Sequence, residues 1–79
     1  MQLQVLLFGI VSDLIGENEV SFIFSGTTVA DFKKELNTSY PQLQNYNAYV
    51  IAVNESYAND DQVLLNADVV AIIPPVSGG

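Results

Sequence analysis

The apolar periodicities of this 79-residue chain predict an α+β domain, a mixed sheet of four to five strands packed by one long helix and one short helix. Three observations carry the prediction. Leu3, Val5 and Leu7, and again Val20, Phe22 and Phe24, recur with the period of two expected of strands. Val29, Phe32, Leu36 and Tyr40 recur at three and four residues, the stripe of an amphipathic helix. The second half holds only strand-like apolar runs, at 49–53 and 69–73.

Taken in order, residues 3–8 form the first strand. Gln2 and Gln4 mark its second face as solvated, yet Leu6 and Phe8 share that face. The strand is therefore either buried on both sides at its end or edged by an apolar contact patch. Gly9 breaks the alternation, and residues 10–16 suit one or two helical turns ended by Gly16. Residues 19–24 are the second strand, and Ser25-Gly26-Thr27 turns the chain. Thr28 followed by Asp31 reads as a capping box with Asp in place of Glu or Gln, so the long helix starts there. Pro41 ends it near residue 39 or 40. Residues 42–47 are polar and read as loop. A central strand follows at 49–53, then a tight turn at Asn54-Glu55, a short strand at 56–58, a loop at 59–61, a turn at 65–68 and the last strand at 69–73. This order matches a ubiquitin-like β-grasp, in which the last strand lies inside the sheet beside the first. Residues 1–73 form that domain and 74–79 a flexible Gly-Gly tail.

Composition narrows the function. Hydrophobic residues make up 49% of the chain, which describes a compact domain with one modest core. Nine acidic residues against Lys33 and Lys34 leave a net charge of −7. Such a surface argues against nucleic acid and against an anionic membrane, and suits solubility or a basic partner. There is no cysteine and no histidine, which rules out disulfides, zinc–thiolate sites and imidazole bases. The first residues do not resemble a signal peptide and no apolar stretch reaches the length of a membrane span, so a cytoplasmic protein is expected.

The internal motifs carry little chemistry. Asp60-Asp61, with Asn59 and Gln62, could offer oxygen ligands to a hard cation but lacks the spacing of a calcium loop; a solvated turn is the expected role, and no metal. Glu17 and Glu19 read as another turn. No serine has a partner base, and Gly9, Gly16 and Gly26 do not form a phosphate loop. No active site of the chain's own is visible.

The ending Pro74-Pro75-Val76-Ser77-Gly78-Gly79 is different. Two prolines stop the last strand, and two glycines leave a tail slim enough for a narrow channel. From Val76 onward it reaches at most about 14 Å, enough to place a carboxyl group in a partner's active site. That carboxylate is a poor electrophile until activated, most simply as an acyl-adenylate. A sulfur nucleophile then gives a thiocarboxylate and a sulfur donor; a lysine amine gives an isopeptide-linked modifier. Both routes need an activating partner.

The segments Val5-Leu6-Leu7-Phe8, Leu14-Ile15-Gly16, Thr28-Val29, Ala52-Val53-Asn54 and above all 68–79 resemble the small subunit of molybdopterin synthase over nearly the whole chain. The Pro-Pro before Val-Ser-Gly-Gly is the specific part, since thiamine-pathway sulfur carriers share Gly-Gly but usually not the prolines. The resemblance implies that Gly79 is adenylated by an E1-like adenylyltransferase using ATP and converted to a thiocarboxylate with a sulfurtransferase as sulfur source. Gly78, Ser77 and Val76 then enter the basic pocket of the large subunit. There the sulfur passes to cyclic pyranopterin monophosphate, in an assembly of two small and two large subunits. It also implies that Phe8, Ile73, Pro74 and Pro75 form the apolar docking surface, and that the chain itself binds no cofactor. Other carriers on this fold, serving thiamine or tRNA thiolation, and protein modifiers are the alternative. Ser12 stands where some members carry a basic residue, so a salt bridge to the partner is missing or replaced.

Overall fold

A computed structural model describes residues 1–43 and 49–74. Its elements are β1 (Gln2–Leu7), α1 (Gly9–Ile15), β2 (Glu19–Ile23), α2 (Val29–Ser39), a 3-10 turn (Pro41–Leu43), β3 (Val50–Val53), β4 (Ser56–Tyr57) and β5 (Val69–Ile73). The strands form one sheet in the order β2-β1-β5-β3-β4. β1 and β5 run parallel with Val5 opposite Val70 and Leu7 opposite Ile72, and the remaining pairs are antiparallel. The expected placement of the last strand beside the first is what the sheet shows.

Local chemistry sets the boundaries. Gly16 ends α1 at φ 87°, a left-handed conformation natural to glycine, and its N–H donates to Ser12 O at 2.7 Å. The Thr28–Asp31 capping box is complete. Thr28 Oγ1 accepts from the Asp31 N–H at 3.3 Å, and Asp31 Oδ2 accepts from the Thr28 N–H at 3.1 Å. The next orphan donors of α2 are satisfied from the 59–64 loop: Val29 N–H donates to Gln62 O and Ala30 N–H to Asp60 O. Pro41 stops α2 at Ser39 as expected. Asn54 and Glu55 both have positive φ, 49° and 73°, the two-residue turn whose twist matches a β-hairpin.

The core lies between α2 and one face of the sheet. Leu3, Val5, Leu7, Phe22, Ile51, Val53, Val70 and Ile72 from the strands meet Val29, Phe32 and Leu36 from α2, with Val11 of α1 in the same cluster. Phe32 is the hub, packed edge-on to Phe22 at 5.3 Å and to Phe24 at 6.0 Å between ring centroids. Each such fully buried side chain contributes about 1.5–3 kcal/mol of transfer free energy.

One expectation needs adjustment. The stretch read as polar loop from residue 42 begins with a 3-10 turn whose Leu43 is fully buried, tied to α1 by Gln42 Nε2 donating to Leu14 O at 3.1 Å. The rest of that stretch lies outside the described residues. Leu64, in a segment without periodicity, is also core, held where its N–H donates to Thr27 O at 2.9 Å. The last strand ends at Ile73, and of the tail only Pro74 is described; Pro75, Val76, Ser77, Gly78 and Gly79 lie outside the described residues.

Candidate functional site

The sheet has a second face that no helix among the described residues covers, and its composition is unusual. β5 is apolar on both sides: Val70 and Ile72 point to the core, and Val69, Ala71 and Ile73 point outward. Register then aligns Leu6 of β1, Ala71 of β5, Ala52 of β3 and Tyr57 of β4 in one row across the outer face. Leu6, Phe8, Ala52, Glu55, Tyr57, Val69, Ala71 and Ile73 line a shallow groove of about 360 Å³ on this face. Phe8 is 47% and Tyr57 78% exposed, large apolar areas left in water by the isolated chain.

Of the residues singled out from sequence, Phe8 and Ile73 lie together in this groove, at the end where β1 and β5 finish. The choice left open for the end of β1 resolves accordingly: Leu7 is core, while Leu6 is half-buried and Phe8 exposed. Pro74 is half-buried and sits over Gly9. Tyr57, Ala52 and Ala71 escaped sequence reasoning, because a two-residue strand and alanines carry no amphipathic signal. The signal that could have revealed them is the unbroken apolar run of β5, which at a central position leaves half its side chains facing outward.

The strand that ends at this groove is held on both edges. β1 pairs with one side of β5 and β3 with the other. Its start is clamped by Asn54, whose Nδ2 donates to Asp68 Oδ1 at 3.0 Å while its Oδ1 accepts from the Val69 N–H at 3.0 Å. The Asn54 N–H adds a bond to Val69 O at 2.8 Å.

Glu55 brings a carboxylate to the lining of this groove. Lys33 lies on α2, on the opposite side of the sheet, and bridges to Asp60 Oδ1 at 2.7 Å. That bridge, with Asp60 O capping α2, gives the Asp60-Asp61 loop a structural role. Among the described residues no group of three or more His, Cys, Asp or Glu comes together as a metal site. Ser12 Oγ donates to Asn18 Oδ1 at 2.7 Å, an internal tie between α1 and the approach to β2. The Asp31 carboxyl is held below its ordinary range by the N–H groups of Thr28 and Thr27 that it accepts from, and burial pushes the Tyr49 hydroxyl up.

A mixed sheet wrapped on one long helix, with its parallel central pair ending at an apolar face that no described helix covers, defines a ubiquitin-like β-grasp protein. No helix among the described residues is long and apolar enough to cross a membrane. The chain belongs to the ThiS family, whose profile matches residues 5–79. It is 37% identical to the molybdopterin synthase sulfur carrier subunit of Dictyostelium discoideum, over 99% of this chain and 96% of that protein. It is 35% identical to the Arabidopsis thaliana protein of the same name, over 100% of this chain and 84% of that one. Among solved structures, SAMP1 of Haloferax volcanii superposes with a TM-score of 0.86 at 25% identity, each chain covered fully.

Proposed function

We propose that this chain is the sulfur carrier subunit of a cytoplasmic molybdopterin synthase, carrying sulfur as a thiocarboxylate on Gly79. The observation that carries the reading is the position of β5, bonded along both edges and ending at Pro74 beside the apolar groove. A segment attached there leaves from one of the most constrained points of the fold, next to a surface suited to a partner. The family match and the names of the relatives support the cargo.

The chemistry is a sequence of acyl transfers. A Gly79 carboxylate oxygen attacks the α-phosphorus of ATP on an E1-like adenylyltransferase, and pyrophosphate leaves. The terminal sulfur of a persulfide on a sulfurtransferase attacks the acyl carbon and AMP leaves. A second thiol then attacks the transferase sulfur of the acyl disulfide, forming a disulfide there and releasing the tail as a thiocarboxylate. In the large subunit the thiocarboxylate sulfur attacks a side-chain carbon of cyclic pyranopterin monophosphate as an oxygen leaves that carbon. Water then cleaves the acyl–sulfur bond, leaving the sulfur on the pterin and returning the tail to a carboxylate. A dithiolene has two sulfurs and each tail carries one, so two charged chains serve each product. Gly78, Ser77 and Val76 form the inserting segment, and their small size suits a narrow channel. Phe8, Ile73, Pro74 and Pro75 form the docking surface. ATP is a substrate of the activating partner, and this chain contributes the acyl group and the surface.

Incubation with ATP, an activating enzyme and a sulfur source should raise the intact mass by about 16 Da, oxygen replaced by sulfur at an activated carboxyl. An unchanged mass, where a known carrier is charged in parallel, would refute the reading. Isopeptide-linked adducts on lysines instead would assign the chain to the modifiers.

A further inference from the structure

The parallel register of β1 and β5 places Leu7 opposite Ile72, and two residues on it brings Gly9 to Pro74. Both strands end there by different means. Gly9 turns the chain into α1 with φ +56°, a conformation that side chains rarely adopt. Pro74 has no N–H, so the ladder to β1 cannot continue. The proline ring lies directly over the glycine: a Cβ built on Gly9 would stand 2.9 Å from Pro74 Cγ, closer than real Cβ contacts come. Gly9 is held in turn, because the N–H groups of Val11 and Ser12 both donate to Phe8 O, at 3.2 and 3.3 Å.

We infer that Gly9 is a positioning residue for the tail, a seat without a side chain on which Pro74 rests and which sets the direction in which residues 75–79 leave the domain. This rests on the sulfur-carrier reading above, since direction matters only if the tail delivers its end to a partner. The steric logic is specific. Outside the backbone of α1 itself, Pro74 is what a methyl at residue 9 would meet among the described residues, and no core side chain lies within contact of it. A methyl at residue 9 therefore lifts Pro74 and displaces the point at which the tail begins. Misplacement of a reacting group by about 1 Å can cost a hundred-fold in rate.

The test has a structural arm and a kinetic arm. Nuclear Overhauser contacts between the Pro74 ring protons and Gly9 Hα should be present in the native chain and weakened in Gly9→Ala; their absence from the native chain overturns the inference whatever the tail carries. In single-turnover sulfur transfer from the thiocarboxylated chain in the assembled synthase, Gly9→Ala should be slower by about ten- to a hundred-fold. Backbone strain at positive φ is the competing cause, and a double-mutant cycle separates the two. Strain persists when Pro74 is replaced by Ala, whereas the steric clash with the ring disappears. In the Pro74→Ala background, Gly9→Ala should change the rate by no more than about two-fold. A full effect in both backgrounds, or none in the native background, overturns the inference while leaving the carrier function intact. A native chain that takes up no sulfur refutes the carrier function itself, and the delivery role falls with it.

Discussion

Replacing Asn54 isolates what holds the tail-bearing strand in place. Its side chain makes two hydrogen bonds, donating to Asp68 Oδ1 and accepting from the Val69 N–H, both at 3.0 Å. Its backbone lies at φ 49°, a conformation asparagine adopts at lower cost than alanine. Hydrogen bonds contribute about 0.5–1.5 kcal/mol each, and the lower half applies because Asn54 is exposed, so the pair gives about 1–2 kcal/mol. The left-handed conformation adds about 1 kcal/mol for alanine but nothing for glycine. Asn54→Ala should thus lose about 2–3 kcal/mol and Asn54→Gly about 1–2 kcal/mol, the difference being the backbone term alone. Against a total of about 4–12 kcal/mol for a domain of this size, both are readily measured by urea unfolding. Amide exchange should locate the loss at Val69, whose donor is freed, with the centre of α2 changed only through global stability. Equal losses for the two variants would refute the backbone term. Stability unchanged in both would refute the clamp.

Gly26 is enclosed for a steric reason: an added Cβ would lie 2.6 Å from Asp31 Cβ and 2.9 Å from the Phe24 ring. Gly26→Ala should therefore destabilise by about 1–3 kcal/mol in chemical denaturation, as overpacking does. The depressed Asp31 carboxyl makes a pH prediction. Its folded pKa lies below the ordinary 3.8, so its contribution is fully present above that value and disappears as pH falls through the folded pKa. Asp31→Asn should flatten that part of the acid limb below about pH 4, and an acid limb identical to native would contradict the assignment.

The long helix was legible because two local signals agree, the Thr28–Asp31 box and the stripe Val29, Phe32, Leu36, and both depend on residues near in sequence. The Asn54-Glu55 turn and the β5 boundaries were legible for the same reason. Strand order came only through resemblance, because periodicity says which face of a strand is buried and nothing about its neighbour. Leu43 and Leu64 were hidden in segments without a period, where burial is decided by what folds over them. The groove was half legible: Leu6 and Phe8 announced themselves by standing on a face marked solvated by Gln2 and Gln4. Tyr57 joins them only through the pairing of β4 with β3. Gly9 read as a strand breaker, and its contact with Pro74 depends on the parallel register of β1 and β5.

The central claim is that this chain delivers sulfur from its last residue. The most direct measurement follows isotopically labelled sulfur from the thiocarboxylated chain, mixed with large subunit and cyclic pyranopterin monophosphate in a single turnover. The account predicts that the label moves into the dithiolene, that the chain returns to its original mass, and that a chain lacking Gly79 accepts no label. Label that stays on the chain while the same large subunit draws sulfur from a known carrier would contradict it.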